Sequence, residues 1–403
     1  MVNIEDYAPI VGKGEIESIK ELAEHVKGAK VLHINATKFG GGVAEILNRV
    51  VPLAISVGLK AEWKTIHGEK DFFLVTKKIH NALQGDESVF LDEGMMRLYL
   101  ETNRRNAPII SHDAEVVVIH DPQPLPLIEN KKGGKWVWRC HIDTSSPNMK
   151  VWSRLSAYVR MYDAAVFSLE KYIPKDLYGM RVLIDYPTID PLAAKNMQLS
   201  PTEIQKVLER YGVDPERPIV GQVARFDPWK NPTGAIDVFR MVKNNLDDLQ
   251  LLLIGSFALD DAEGEEWYNK TVKYAGGDKD IHILTNLDGV MDKEVNAFQR
   301  SFNAALQLST REGFGLTVAE ALWKGVPVVG TKAGGITLQV IDGVTGYLVD
   351  SLEEAAERVK ILINKPWLAR ELGYAGRQHV KLNFLVTKGL KNYLRMHIDL
   401  VGK

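Results

Sequence analysis

Cysteine is nearly absent: Cys140 is the only one in 403 residues. An internal disulfide is therefore excluded, and so is any metal site built from several thiolates. Cys140 closes the apolar run Lys135 to Cys140 and is read as a small core residue rather than a nucleophile. Excess charge of either sign is also missing. Lys and Arg total 50 against 52 Asp and Glu, a formal charge of −2, so bulk electrostatics favour neither nucleic acid nor an anionic membrane. No apolar run approaches the roughly 18 residues that span a bilayer. The best candidate, Ile46 to Leu59, is broken by Asn48, Arg49 and Pro52. The opening MVNIEDYAPI has neither the basic start nor the apolar core of a secretory signal. With 45% hydrophobic and 25% charged residues, a soluble, cytoplasmic globular protein is expected.

What is present is a regular alternation of strands and helices, without low-complexity tracts or short repeats, which points to parallel α/β sheets. In the first half the predicted strands are Lys30 to Asn35, Ala61 to Ile66, Ala114 to Ile119, Lys135 to Cys140 and Ala164 to Ser168. A helix is expected from Val43 to Val57, and another that starts at Ser146 and Pro147 and ends near Tyr162. After the proline-bearing segment Tyr186 to Pro191 the pattern restarts. Strands are expected at Pro218 to Ala224, Leu249 to Ile254, Ile281 to Leu284, Ala304 to Leu308 and Val326 to Val329. The length suits two or three domains. We divide it into two doubly wound Rossmann-like domains, 1–187 and 188–385. Two such sheets imply a cleft, with ligands at the carboxyl ends of the strands.

The most informative stretch is STREGFGLTVAEALWKGVPVVGTKAGGITLQVIDGVTG, Ser309 to Gly346. A glycine-punctuated loop (Glu312, Gly313, Phe314, Gly315) leads from a strand into a helix at Leu316 and Thr317, a design that brings backbone amides close to an anion. That helix is apolar on nearly every side and should be buried. Its one carboxylate, Glu320, must then find hydrogen-bond donors, and sugar hydroxyls are suitable.

Arg225 and Lys230, in VARFDPWK, follow a strand and suit a diphosphate: Arg by paired hydrogen bonds, Lys as a point charge. Lys230 is expected in an open site, where its loss would spare folding. Gly40, Gly41 and Gly42 open a helix after the first strand. The dinucleotide fingerprint fails there, because Glu45 stands where a glycine is needed, which disfavours a dehydrogenase. His120-Asp121 and His141-Ile142-Asp143 both lie at strand ends. The two histidines lack the close spacing of a metal pair, and Asp121 is a candidate for binding acceptor hydroxyls, with His120 and Asp143 beside it.

The string from Glu312 to Gly346 resembles the donor-sugar site of the retaining glycosyltransferases of family four, whose signature is two glutamates separated by seven residues. IHGEKDFFLVTKKIHNALQG, HDPQP, WRCHIDTSSPN, ARFDPWK and LTNLDGV narrow the resemblance, over nearly the whole chain, to the trehalose glycosyltransferring synthases. The resemblance implies the two-domain GT-B fold, with the last helix (386–403) packed back on the first domain. It implies that Glu320 meets the ribose, that Glu312 meets the donor sugar's hydroxyls within the loop Gly313 to Thr317, and that Arg225 and Lys230 meet the diphosphate. Gly41 and Gly42 would face the donor phosphate and the acceptor, and His141 would lie beside the reacting sugar. Typical family-four sequences carry glutamate after the Gly-Gly turn, where this chain has Gln339.

The implied reaction is transfer of glucose from a nucleoside-diphosphate glucose to free glucose, giving α,α-trehalose reversibly. The implied partners are these small molecules alone, with no nucleic acid and no membrane. No tightly bound cofactor and no protein-held metal are expected, although stimulation by a divalent cation such as magnesium and a homodimer both remain open. A trehalose phosphorylase, or a family-four enzyme with another acceptor, is the nearest alternative. A binding protein without activity could dispense with Arg225 or Lys230, and both are present.

Overall fold

The computed structural model describes residues 2–38, 42–257 and 262–402. Among these the chain forms two compact units, Met1–Thr188 with Val386–Lys403, and Ile189–Leu385. Each is built on a six-stranded sheet in which every strand pairing among the described residues is parallel.

In the first unit the strands are β1 (Lys30–Asn35), β2 (Lys60–Thr65), β3 (Val116–His120), β4 (Lys135–Cys140), β5 (Ala164–Phe167) and β6 (Val182–Ile184), in the order β2-β1-β3-β4-β5-β6. After Lys30, every residue of β1 is buried, as expected for a parallel strand covered on both faces. The order reverses direction between β1 and β3, the switch point where ligands of such sheets bind. The helix Gly42–Ser56 follows β1, and the C-terminal helix Val386–Val401 shares the first unit's core through Val386, Leu390, Tyr393 and Leu394.

The second unit contains β7 (Ile219–Val223), β8 (Gln250–Gly255), β9 (Ile281–Thr285), β10 (Ala304–Gln307), β11 (Val328–Thr331) and β12 (Gly346–Val349), in the order β12-β11-β10-β7-β8-β9. Here the switch point lies between β7 and β10. The core is made by Val220, Leu251, Leu253, Leu306 and Val329 packing under helices that include Pro232–Lys243 and Leu352–Asn364.

Several boundaries differ from the sequence reading. The helix expected to start at Ser146 and Pro147 begins at Met149 and ends at Val159, because Asn148 supplies the cap: its Oδ1 accepts the Lys150 amide at 3.0 Å. Two short strands, β6 and β12, escape the sequence reading. In β12 the Gly346 that looks like a turn residue is a pairing residue, since a Cβ there would lie 2.1 Å from the Val328 carbonyl oxygen. Cys140 is fully buried, and burial raises its thiol pKa, as befits an inert core residue. No helix among the described residues is long and apolar enough to cross a membrane.

Candidate active site

In the second unit the two sequence motifs leave adjacent strands at the switch point. The segment Arg225 to Lys230 follows β7, and Ser309 to Gly315 follows β10, the partner of β7. The Thr310 amide donates to the Trp229 carbonyl at 2.8 Å, tying the two loops together. Lys230 closes the short 3-10 turn Pro228–Lys230, whose cap Asp227 accepts the Lys230 amide through Oδ1 at 3.0 Å. The Gln222 side chain donates to the Lys230 carbonyl at 2.7 Å. The backbone that carries the lysine is therefore fixed from both sides.

The centre of this site is Glu312, which is 5% exposed. Its Oε2 accepts from Lys230 Nζ at 2.7 Å, Gln307 Nε2 at 2.9 Å and Ser309 Oγ at 3.1 Å. Three donors on one oxygen hold the carboxylate in place, and they make it a poor nucleophile. The lysine is correspondingly less open than its sequence context suggests: its side chain is 16% exposed. Arg225 is the outward cation, half-exposed, with one contact to Asp227 Oδ2 at 3.3 Å. Burial raises the Asp227 pKa, and Arg225 and Lys230 oppose the rise. A guanidinium has five N–H donors, so the Asp227 contact leaves Arg225 ample capacity for phosphate oxygens.

The loop Gly313 to Gly315 is held in shape from below. Gly315 has φ 81°, a left-handed value that favours glycine, and it caps the helix Leu316–Trp323. The Gly334-Gly335 turn lies against it so closely that a Cβ on Gly335 would come 2.5 Å from the Phe314 carbonyl oxygen. Gln339, fully buried, donates from Nε2 to the Phe314 carbonyl at 2.6 Å and to those of Gly315 and Gly335 at 3.3 Å. A carboxylate cannot donate, which gives the departure at this position a physical reason. Gln339→Glu is expected to destabilise the protein by about 3 kcal/mol or more, since it sets a buried charge against carbonyl oxygens; urea denaturation at neutral pH measures this.

Glu320 is fully buried on the same helix. The protein itself supplies a partner, Lys195, whose Nζ lies 3.1 Å from Oε1. Lys195 carries no sequence signal, since it stands in an irregular segment far from any motif. Leu316 and Thr317 start the helix, and the Thr317 hydroxyl donates to Gln307 Oε1 at 3.2 Å.

In the first unit the strand-end residues converge at the β1–β3 switch point. His33 pairs in register with Val118, and His120 lies two residues beyond Val118 on β3. His120 pairs with Arg139, and His141 lies two residues beyond Arg139. A step of two residues keeps the side chain on the same face, so the three histidines form a diagonal row. His33 Nδ1 is 3.0 Å from His120 Nε2, and His120 Nδ1 is 3.0 Å from His141 Nε2. At the far end His33 Nε2 is 2.8 Å from the Tyr393 hydroxyl on the C-terminal helix. His141 Nδ1 is buried and has no hydrogen-bond partner among the described residues. Burial lowers the pKa of all three, His33 to about 3 and His120 and His141 well below the usual value, and the charge of Arg139 lowers the last two further. They are neutral.

This row corrects the expectation for His120. Both of its ring nitrogens are used inside the row, so it stands behind His141 and cannot meet acceptor hydroxyls. Asp121 is also drawn inward. It has φ 62°, rare for a non-glycine residue, and its Oδ1 accepts the His141 amide at 2.8 Å. Loss of solvent raises its pKa to about 7, against the opposing His141 amide and Arg139. Asp143 accepts the Ser145 amide at 3.0 Å and shapes the turn that follows. Gly40 and Gly41 lie outside the described residues; Gly42 is the first residue of its helix. A cavity of about 60 Å³ is lined by His33, His120, His141, Arg139, Asp185 and Tyr393 together with valines of the sheet. Neither His33, set between Leu32 and Ile34 in β1, nor Tyr393 stands out in the sequence.

Two doubly wound parallel sheets, with a buried lysine–glutamate pair on the loops of the second, define the GT-B fold. The same fold is seen in a UDP-forming α,α-trehalose-phosphate synthase from Burkholderia xenovorans, with TM-score 0.73 at 14% identity, covering 93% of this chain and 100% of that one. A family model described as "Trehalose synthase, N-terminal domain" matches residues 33–174, and one described as "Glycosyl transferases group 1" matches residues 203–379. A trehalose synthase of Thermococcus litoralis is 51% identical over 97% of this chain and 95% of its own length. The chain belongs to the trehalose synthase family, and it is a hexosyltransferase. A trehalose phosphorylase of Pleurotus pulmonarius is 27% identical over 94% of this chain but only 58% of its own length.

Proposed function

We propose that the protein transfers glucose from a nucleoside-diphosphate glucose to free glucose, with retention, giving α,α-trehalose reversibly. The observation that carries this reading is Glu312 held by Lys230, Gln307 and Ser309 beside Arg225, in a chain of the trehalose synthase family. The second unit is read as holding the donor. Arg225 and Lys230 stabilise the charge that grows on the departing diphosphate, and Glu312 meets the glucosyl hydroxyls. The first unit is read as holding the acceptor, with Asp121 orienting the backbone of His141 beside the reacting sugar. Because Glu312 is a poor nucleophile, a covalent glucosyl-enzyme is not invoked. The leaving phosphate oxygen takes the acceptor's proton as the new bond forms on the same face. Two protein cations already match the diphosphate, so a divalent cation would assist rather than be required. Reversibility is expected, because a 1,1-linked disaccharide is itself an activated glucosyl donor.

The experiment is a panel of UDP-, ADP- and GDP-glucose with and without glucose, measuring release of the diphosphate. Glucose-dependent release supports the proposal. Glucose 1-phosphate formed from trehalose and inorganic phosphate, without nucleotide, would replace it with a phosphorylase.

The two glutamates should fail differently. Glu320→Gln is expected to weaken binding of free nucleoside diphosphate by about 1–3 kcal/mol, the value of one charge-assisted hydrogen bond to the ribose. Glu312→Gln should leave that affinity nearly unchanged while lowering kcat and kcat/KM together. Titration calorimetry of both variants separates them, and the opposite pattern would interchange their roles.

A further inference from the structure

The histidine row has a property that its separate contacts do not reveal. A neutral imidazole has one N–H and one lone pair, and each of His33 and His120 is bonded at both nitrogens. If one ring donates through Nδ1, its neighbour must accept at Nε2 and donate through its own Nδ1. The row therefore has only two arrangements, one the reverse of the other along its whole length.

The two ends decide between them. Tyr393 stands in the first unit's apolar core with Ile16, Val50, Leu390 and Leu394. Were it to accept from His33, its own O–H would need another acceptor. His397 Nε2, on the same helix, has no hydrogen-bond partner among the described residues and so does not serve. Each order leaves one donor unmatched, the Tyr393 O–H or the His141 Nδ1–H; His141 is partly exposed at a strand end, where a ligand can complete the bond, whereas Tyr393 is 8% exposed. Tyr393 therefore donates to His33, and the proton order runs outward: His33 Nδ1–H to His120, His120 Nδ1–H to His141. We propose that His33 and His120, anchored by Tyr393, are positioning residues that hold His141 as its Nδ1–H tautomer, so that its buried Nδ1 offers a hydrogen bond to a sugar oxygen. The proposal rests on the reading of His141 as a group beside the reacting sugar. It adds that the group is a neutral donor, and that its state is set at the C-terminal helix, 360 positions from His33 in the sequence.

The test is nitrogen-15 NMR of the full-length protein labelled in histidine, without ligand, combined with kinetics of His120→Leu. In the unaltered protein the protonated nitrogen should be Nδ1 in His33, His120 and His141, the opposite of the tautomer that free imidazole side chains favour. In His120→Leu, His141 should shift toward Nε2–H, and kcat should fall about 10- to 100-fold, the usual cost of removing a group that orients a functional histidine. Nucleoside-diphosphate affinity should stay within about twofold, because uniform binding is not what is lost. An Nε2–H His141 in the unaltered protein overturns the proposal, whether or not the variant folds. Unchanged kcat in a folded His120→Leu overturns it too. Full turnover in His141→Leu, with the tautomers as expected, would instead remove the reading of His141 on which the proposal rests.

Discussion

Lys230→Ala is expected to lower turnover by about two to three orders of magnitude, the scale of losing one charge-stabilising group at a reacting centre. It is also expected to weaken the fold, contrary to what an open site would imply. Lys230 Nζ lies 2.7 Å from Glu312 Oε2, and both side chains are largely buried. Removing one member of a buried pair strands the other charge, at a cost of about 3–5 kcal/mol; Gln307 and Ser309 still bond Glu312, so the lower end is expected. The two effects can be separated. Adding Glu312→Gln to Lys230→Ala neutralises the stranded carboxylate and should recover much of the stability but none of the turnover. Steady-state rates and urea midpoints of the single and double variants decide the matter. Near-normal turnover in Lys230→Ala would remove the lysine from the phosphate site.

The second large effect is acid sensitivity of the first unit. His33, His120, His141 and His397 are buried and neutral, with folded pKa values lowered by burial, His33 to about 3 and His397 to about 4. The unfolded chain, with histidine pKa values of about 6.5, then binds more protons than the folded one. Stability is fully present above that pH and is lost as the pH falls, by about 1.4 kcal/mol per pH unit for each histidine. Asp121 works the other way. Its folded pKa is raised to about 7, so the folded state binds the extra proton between the two carboxylate values and gains stability on acidification. Asp185 is raised by burial and acts in the same direction. Four groups against two leave a net loss, and stability should fall by about 3 kcal/mol or more from pH 6.5 to 5. Urea midpoints across this range measure it. A flat profile would mean that the histidines are not neutral in the folded protein.

The sequence reveals the fold well where a strand is buried on both faces. Lys30 to Asn35 and Lys135 to Cys140 are largely apolar runs opened by lysine, and the structure places β1 and β4 there to the residue. It reveals β12 poorly, because Gly346 and its neighbours carry turn chemistry and their pairing with β11 is a tertiary fact. At the candidate site, Glu312, Glu320, Arg225 and Lys230 are legible because charged residues beside glycines, or on an apolar helix, demand an explanation. Their partners are less so. Gln307 and Ser309 look like ordinary strand-end residues until Glu312 folds back on them. Lys195 is unremarkable until it meets a carboxylate 125 positions later, a separation that no local pattern encodes. The histidine row is half legible. His120 and His141 stand out at strand ends, whereas His33 and Tyr393 are recognised only when strand register and the C-terminal helix bring them into line.

The most direct measurement is the product itself. The protein is incubated with a nucleoside-diphosphate glucose carrying carbon-13 at the glucosyl C1 and with unlabelled glucose, and the product is observed by proton and carbon NMR. A symmetric 1,1-linked disaccharide with the α configuration at both anomeric carbons, labelled in one half, is the result expected for retention with glucose as acceptor. A β-configured labelled carbon, a linkage to any hydroxyl other than the anomeric one, or free labelled glucose as the sole product would contradict it.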